Sequence, residues 1–282
     1  MLSHVFNWRL TEQKAVLPGF GLSLGISVLY ISLIILLPLS GLFIYISDMS
    51  FAQYWAAISH PRVIASYKTT LSAAFVSTLA VSGIGLLLAW VLTRYEFPGR
   101  RLVDGLIDLP FALPTSVAGL TLATLFAPNG WLGQYFSALG IKVAFSWNGI
   151  VLAMTFTSLP FIVRSVQPLI QTIEESLEEA AETLGALPWQ RFYYVIWPLL
   201  LPGLVTGASQ AFIRCLGEFG AVIFIAGNSP YHTEVASLMI FVRLAEYEYA
   251  SAAAIASVVL AVSLFLLFGL QRIQHHFIEK KY

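Results

Sequence analysis

Charge is what this chain has least of. Only 11% of its 282 residues are charged, and 15 Lys and Arg balance 15 Asp and Glu to a net charge of +0. No basic field for nucleic acid exists. A single cysteine, Cys215, allows neither an internal disulfide nor a thiolate metal cluster. The five histidines are His4, His60, His232, His275 and His276, and no two of them have zinc-enzyme spacing around a carboxylate base. No metal-ligating and no catalytic residue is therefore assigned. The string G-x-x-x-x-G-K-[ST] is missing as well, so the chain cannot hold ATP in the P-loop manner.

What is present is apolar. Hydrophobic residues make up 58% of the chain, and the mean hydropathy is +0.79, which excludes an ordinary soluble domain. Long apolar runs extend over Leu22 to Ile46, Tyr67 to Leu92, Gly105 to Ala127, Ile150 to Gln171, Leu199 to Ala226 and Ala250 to Leu270. Each approaches or exceeds the ~20 residues that cross a hydrocarbon core. The first is too long for a signal core and reads as an uncleaved span. An all-α membrane protein with six transmembrane helices over 22–270 is expected, flanked by a segment 1–21 and a tail 271–282 on one side.

Orientation follows from Lys and Arg. One side would carry Arg9, Lys14, Arg94, Arg100, Arg101, Arg191, Arg272, Lys280 and Lys281, the other Arg62, Lys68, Lys142 and Arg243. Nine against four puts both termini in the cytoplasm. The outer loops then hold Trp55, Trp131, Tyr135 and Trp147, aromatics suited to an interface belt or a protein contact.

Several spans are interrupted. Asp108-Leu109-Pro110 and Pro114-Thr115-Ser116 place two prolines and two hydroxyls in the third, and Pro160 and Pro168 bracket Arg164 in the fourth. Carbonyls freed by proline must find other partners or face a water-filled cavity; ordinary kinks packed on neighbouring helices are the alternative. Arg214 and Glu218, i and i+4 in the fifth span, either neutralise each other or line a pathway. Thr115, Ser116, Arg214 and Glu218 are the candidates for a translocation pathway. Arg164, near the inner end of its span, is expected to snorkel to the surface. Gly203 and Gly207 form a G-x-x-x-G suited to internal helix packing.

Between the fourth and fifth spans lies a stretch too acidic for lipid, residues 172–198. Five glutamates fall within nine residues, Glu174 to Glu182, while Ile173, Leu177, Ala180, Ala181 and Leu184 share the other side of a helical wheel. Thr172 and Glu175 have capping-box spacing, Gly185 suits a left-handed close, and Pro188 suits the first turn of a second helix. A solvated loop face and a docking surface for a separate protein are both compatible with this pattern.

Glu179-Ala180-Ala181, three residues, Gly185, nine residues and then Val195-Ile196-Trp197-Pro198 resembles the EAA loop of ABC importer permeases. Val195 and Trp197 stand where that pattern has Ile and Leu. The strings 109–115 (LPFALPT), 159–168 (LPFIVRSVQP) and 217–228 (GEFGAVIFIAGN) further resemble sulfate/thiosulfate permease subunits of the CysT type, although molybdate permeases share much of this pattern. The resemblance implies a type I ABC importer permease fold with cytoplasmic coupling helices, in a bacterial inner membrane. It assigns ATPase coupling to Glu178, Glu179, Ala180, Ala181, Gly185 and Pro188. The implied partners are a CysW-type sister permease, two copies of a CysA-type ATPase carrying ATP and Mg, and a periplasmic sulfate/thiosulfate-binding protein. A secondary anion carrier is the competing class, and it would work without an ATPase. An intramembrane enzyme is weaker still, since no histidine lies within a span.

Overall fold

A computed structural model describes residues 20–279, and every described element is helical. Arg9, Lys14, Lys280 and Lys281, and nearly all of the segment 1–21, lie outside the described residues. In chain order the helices are α1 (Phe20–Ser47), α2 (Phe51–Ile58), α3 (Pro61–Arg94), α4 (Arg100–Ile107), α5 (Leu109–Ala112), α6 (Thr115–Phe126) and α7 (Gly133–Ala138). They continue as α8 (Trp147–Thr172), α9 (Glu175–Thr183), α10 (Pro188–Leu216), α11 (Gly220–Ile225), α12 (Ala236–Ala245) and α13 (Tyr249–Glu279). Single π-helical turns interrupt α1 at Ser32–Leu36 and α10 at Phe192–Ile196.

Five of the described helices are long and apolar enough to cross a membrane: α1, α3, α8, α10 and α13 over Tyr249–Gly269. The run from Gly105 to Ala127 does not form a sixth continuous helix. Asp108 closes α4, and Leu113 before Pro114 is extended at φ −87° and ψ 138°, the conformation that proline imposes on the residue before it. Pro160 and Pro168, in contrast, are absorbed within α8. The run from Leu199 to Ala226 is also divided, because α10 ends at Leu216 and α11 starts at Gly220.

The core is the bundle of α3, α8 and α10. Small residues on α3, including Ala73, Ala74, Ser77, Gly85 and Ala89, let α8 approach closely. Ile162 of α8 is held from both sides: a Cβ on Gly85 would lie 2.7 Å from its Cβ, and a Cβ on Gly207 would lie 3.0 Å from its Cα. The G-x-x-x-G of α10 thus serves internal packing, as its spacing suggests. Helix α1 behaves differently. No residue of its most apolar stretch is buried, and it reaches the bundle through α13. A helix that is apolar all round and covered by little protein belongs in lipid or against another subunit.

Gly21-Leu22-Ser23-Leu24-Gly25 fits the hydrolase string G-x-S-x-G, but it lies inside α1 and not at a strand-to-helix turn, so it makes no nucleophile elbow.

Candidate functional site

The acidic stretch forms a helical elbow. It starts later than the capping-box spacing of Thr172 and Glu175 suggests: Thr172 is the last residue of α8, its hydroxyl donating to the Leu169 carbonyl at 2.9 Å. Glu174 takes the N-cap position of α9 in an extended conformation, and Ile173, buried at the junction, fixes the turn. The reason is local, since a hydroxyl bonded back within its own helix is lost as a cap for the next.

The close of α9 is the expected one. Gly185 sits at φ +83°, its N–H donates to Glu182 O at 2.8 Å, and the Ala186 N–H donates to Ala181 O at 3.0 Å, a Schellman pair. Nothing lies within 4 Å of the space a Gly185 Cβ would fill, so the glycine serves the backbone and leaves an open notch. Pro188 is the first residue of α10, and the Leu187 N–H donates to Gln190 Oε1 at 2.8 Å.

The faces of α9 are unexpected. Glu178 turns toward the bundle and pairs with Arg94 at 2.6 Å, while Glu182 pairs with Arg191 at 2.7 Å. Arg94 also lies over the Trp90 ring, 5.3 Å from its centroid. The apolar side chains point away from the bundle: Leu177 is 46% exposed, Leu184 89% and Trp189 59%. Glu179 and Ala180 are exposed with them, and Ala181 is half-buried. The elbow thus carries an exposed apolar rim, edged by carboxylates, around the open space at Gly185.

The second constellation lies where the two broken spans meet. Helices α6 and α11 pack side by side: a Cβ on Gly119 would be 2.2 Å from Ala221 O, and one on Gly220 would be 2.1 Å from Thr115 Oγ1. Ser116 is next to that contact and exposed. Glu218, in the break before α11, is 1% exposed; one carboxylate oxygen accepts from the Ala221 N–H at 2.9 Å and the other meets Arg214 Nη1 at 2.5 Å. The structure therefore brings Thr115, Ser116 and Glu218 to one place, with Arg214 tied there through Glu218. The pairing of Arg214 with Glu218 that their spacing allowed is formed.

Arg164, 34% exposed, is ion-paired. Its five N–H donors are all engaged: Nε and Nη2 fork onto the Asp108 carboxylate at 3.0 and 2.6 Å, Nη2 also meets Asp104 O at 2.9 Å, and Nη1 meets Asp104 Oδ1 at 2.8 Å and Gln167 Oε1 at 2.7 Å. The carboxylates are within reach, so the side chain pairs with them while staying partly open to solvent. Asp104 and Asp108 are four residues apart and so share a helix face, the signal by which sequence reasoning could have found them. A cavity of about 660 Å³ opens beside this cluster, lined by Glu96, Arg100, Arg101, Asp104, Gln167 and Gln171 among others.

At the opposite end from the elbow, Arg62 at the start of α3 forks onto Glu234, which is 3% exposed, and the Thr70 hydroxyl accepts from the Ala236 N–H at 2.8 Å. These bonds tie the segment before α12 to α3.

An acidic, glycine-closed elbow beneath a bundle of apolar helices can be set against known proteins. Residues 81–280 match the model of the family described as binding-protein-dependent transport system inner membrane component. The chain belongs to that family. It is 58% identical over 266 residues to the sulfate transport system permease protein CysT of Escherichia coli (strain K12), covering 94% of this chain and 96% of that protein. It is 44% identical over 249 residues to CysT of Synechocystis sp., covering 88% and 87%. Among solved structures, a chain of a bacterial alginate ABC transporter in complex with an alginate-bound periplasmic protein superposes with a TM-score of 0.76 at 19% identity, covering 91% of this chain and 93% of that one. A chain of the MetNI methionine ABC transporter gives 0.58 at 21%, covering 81% and 99%. At such identities the superpositions speak for the fold alone, which is that of ABC transporter permeases. The chain is a transport permease, not an enzyme.

Proposed function

We propose that this chain is the CysT-type permease subunit of an ATP-driven importer of sulfate and thiosulfate. The observation that carries the reading is the elbow. Its apolar rim and open notch are turned away from the bundle, where a separate ATPase could dock, and the chain's kinship with binding-protein-dependent transport components favours that partner over an ATP-independent carrier. Identity of 58% to a sulfate transport permease over nearly its whole length supports the substrate.

In this reading the spans number six. The third crosses as α4, α5 and α6 in series, and the fifth continues from α10 into α11. Both termini and the elbow face the cytoplasm of a bacterial inner membrane, in accord with the Lys and Arg distribution. The elbow, α9 with the first turn of α10, is the coupling element, and Glu178, Glu179, Ala180, Ala181, Gly185 and Pro188 shape it. A CysW-type sister permease completes the pathway. Two CysA-type ATPases carry ATP and Mg, and a periplasmic binding protein delivers the anion at the loops beyond α2, α7 and α12. Closure of the ATPases draws the elbows together and turns the cavity between the permeases outward, so coupling is mechanical. Thr115, Ser116, Arg214 and Glu218 belong to the wall of that pathway or its immediate support.

The test is uptake in a bacterium lacking its own sulfate permease. With the ATPase, sister permease and binding protein supplied, labelled sulfate should accumulate, and excess thiosulfate should compete better than excess molybdate. Restored molybdate uptake without sulfate uptake would move the substrate. Uphill uptake by this polypeptide alone would sink the ATP-driven reading.

A further inference from the structure

The ion pairs of Arg62, Arg214 and Arg164 fall into two kinds. Arg62 and Arg214 each hold a carboxylate that is nearly sealed from solvent, Glu234 at 3% and Glu218 at 1% exposure. Pulling either pair apart strands a charge in protein, so these are permanent ties. The Arg164 cluster has the opposite character. Arg164, Asp104 and Asp108 are 34%, 38% and 45% exposed, and Asp104 and Gln167 line the cavity of about 660 Å³. Water can enter as these groups part, so the bonds can be exchanged for hydration and remade.

What the cluster joins matters as much as its wetness. Arg164 and Gln167 stand on α8, a continuous helix of 26 residues, whereas Asp104 and Asp108 stand on the one span that is cut twice, at Asp108 and at Leu113–Pro114. Those cuts leave α4 and α5 as short rods joined at points where φ and ψ can change. Four hydrogen bonds from one guanidinium, with one more from the Gln167 amide to Asp104, are the main polar link between these rods and the core.

We propose that Arg164 is the latch of the inner gate. Bonded to Asp104 and Asp108, it holds α4 and α5 against α8 and closes the pathway to the cytoplasm; parted from them, it lets the cavity beside Arg100 and Arg101 join the pathway as the exit for the anion. This inference rests on the alternating-access reading above.

The experiment uses the full complex in vesicles, with spin labels at Arg101→Cys on α4 and Gln171→Cys on α8 in a Cys215→Ala background. Both positions line the cavity and are exposed, and neither bonds to Arg164. The label-to-label distance should be long without nucleotide and short when the ATPases are trapped closed with vanadate. Arg164→Lys, which cannot form the fork, and Asp108→Asn, which weakens it and keeps the shape, should each hold the long distance even in the trapped state while still binding the ATPase. A distance that does not change on trapping, or that both variants leave as in the parent, overturns the latch and makes the cluster a static brace. Failure of the unlabelled parent complex to accumulate sulfate would instead count against the import reading.

Discussion

The two ends of the bundle hold their charges differently. Away from the elbow, Arg62 and Arg214 hold carboxylates that solvent hardly reaches, Glu234 and Glu218, and only Arg243, among the described residues, pairs with exposed ones, Glu246 at 46% and Glu248 at 49%. Toward the elbow, Arg94, Arg164 and Arg191 pair with Glu178, Asp104, Asp108 and Glu182, whose exposures run from 24% to 65%. Removing one partner of a buried pair costs about 3–5 kcal/mol, while exposed pairs contribute about 0–1 kcal/mol. The contrast suggests a rigid half that keeps its shape and a half whose polar contacts can be exchanged. It suits a transporter that must move against a partner at one face without losing its fold at the other.

The largest expected effect comes from breaking a buried pair. Arg214→Ala leaves the Glu218 carboxylate 1% exposed with only the Ala221 N–H as a hydrogen-bond donor, so it should cost about 3–5 kcal/mol. Thermal unfolding of the detergent-purified complex should show a clear drop in Tm together with loss of uptake. Arg214→Ala with Glu218→Gln should recover part of that stability, because the stranded charge is gone and the amide can still pair. A wild-type Tm in Arg214→Ala would mean that the buried pair is not the tie described.

Next in size is a change that should abolish transport yet spare the fold. Gly185→Asp places a side chain in the open notch at φ +83°, a conformation that Asp tolerates better than most residues. Backbone strain should be modest, and the main insult is bulk and charge at the docking face. Uptake and binding-protein-stimulated ATP hydrolysis should be lost, together with ATPase pull-down, at an unchanged Tm and membrane level. Normal stimulated hydrolysis and uptake in this variant would remove the elbow from the coupling role.

Much of this was legible in the sequence, and the exceptions share a cause. The apolar runs located the long helices because length and hydropathy are one-dimensional properties. The elbow was legible for a related reason: Gly185 and Pro188 act on the backbone next to them. Leu113–Pro114 was flagged as an interruption, but which prolines break a helix was not. Pro160 is buried where α8 packs in the core and Pro168 is exposed, yet both are accommodated within one continuous helix, and nothing in their immediate sequence distinguishes them from Pro114. The orientation of α9 was also hidden. A helical wheel separates the glutamates from the apolar residues, but Arg94, which draws Glu178 inward, is 84 positions away. The pairing of Arg164 was hidden for the same reason, since its partners Asp104 and Asp108 are 60 and 56 positions away.

A smaller effect should follow from Glu178→Gln. The pair with Arg94 is 20% and 24% exposed, between the two extremes, and Arg94 keeps its place over Trp90 when the charge is removed. Stability should fall by roughly 1 kcal/mol or less, and stimulated hydrolysis should fall in part without loss of ATPase binding. A loss as complete as that of Gly185→Asp would mean that Glu178 itself contacts the ATPase, and its inward turn would then belong to the undocked state only.

The smallest effect is expected where both the exposure and the geometry are least demanding. Arg191 meets Glu182 at 2.7 Å across the elbow, but Glu182 is 65% exposed and accepts no other side chain's bond among the described residues. The elbow's shape does not depend on this pair: the Gly185 and Ala186 N–H groups hold the close of α9 through backbone carbonyls, and Gln190 holds the start of α10. Arg191→Gln should therefore leave the Tm within experimental error, consistent with the ~0–1 kcal/mol of an exposed pair, and uptake at low salt and at high salt should match the parent. If uptake instead falls and becomes more sensitive to salt, the guanidinium is engaged by a carboxylate of the docked ATPase and not only by Glu182. The exposed charges of the elbow would then differ from those of the opposite end in having a partner outside this chain.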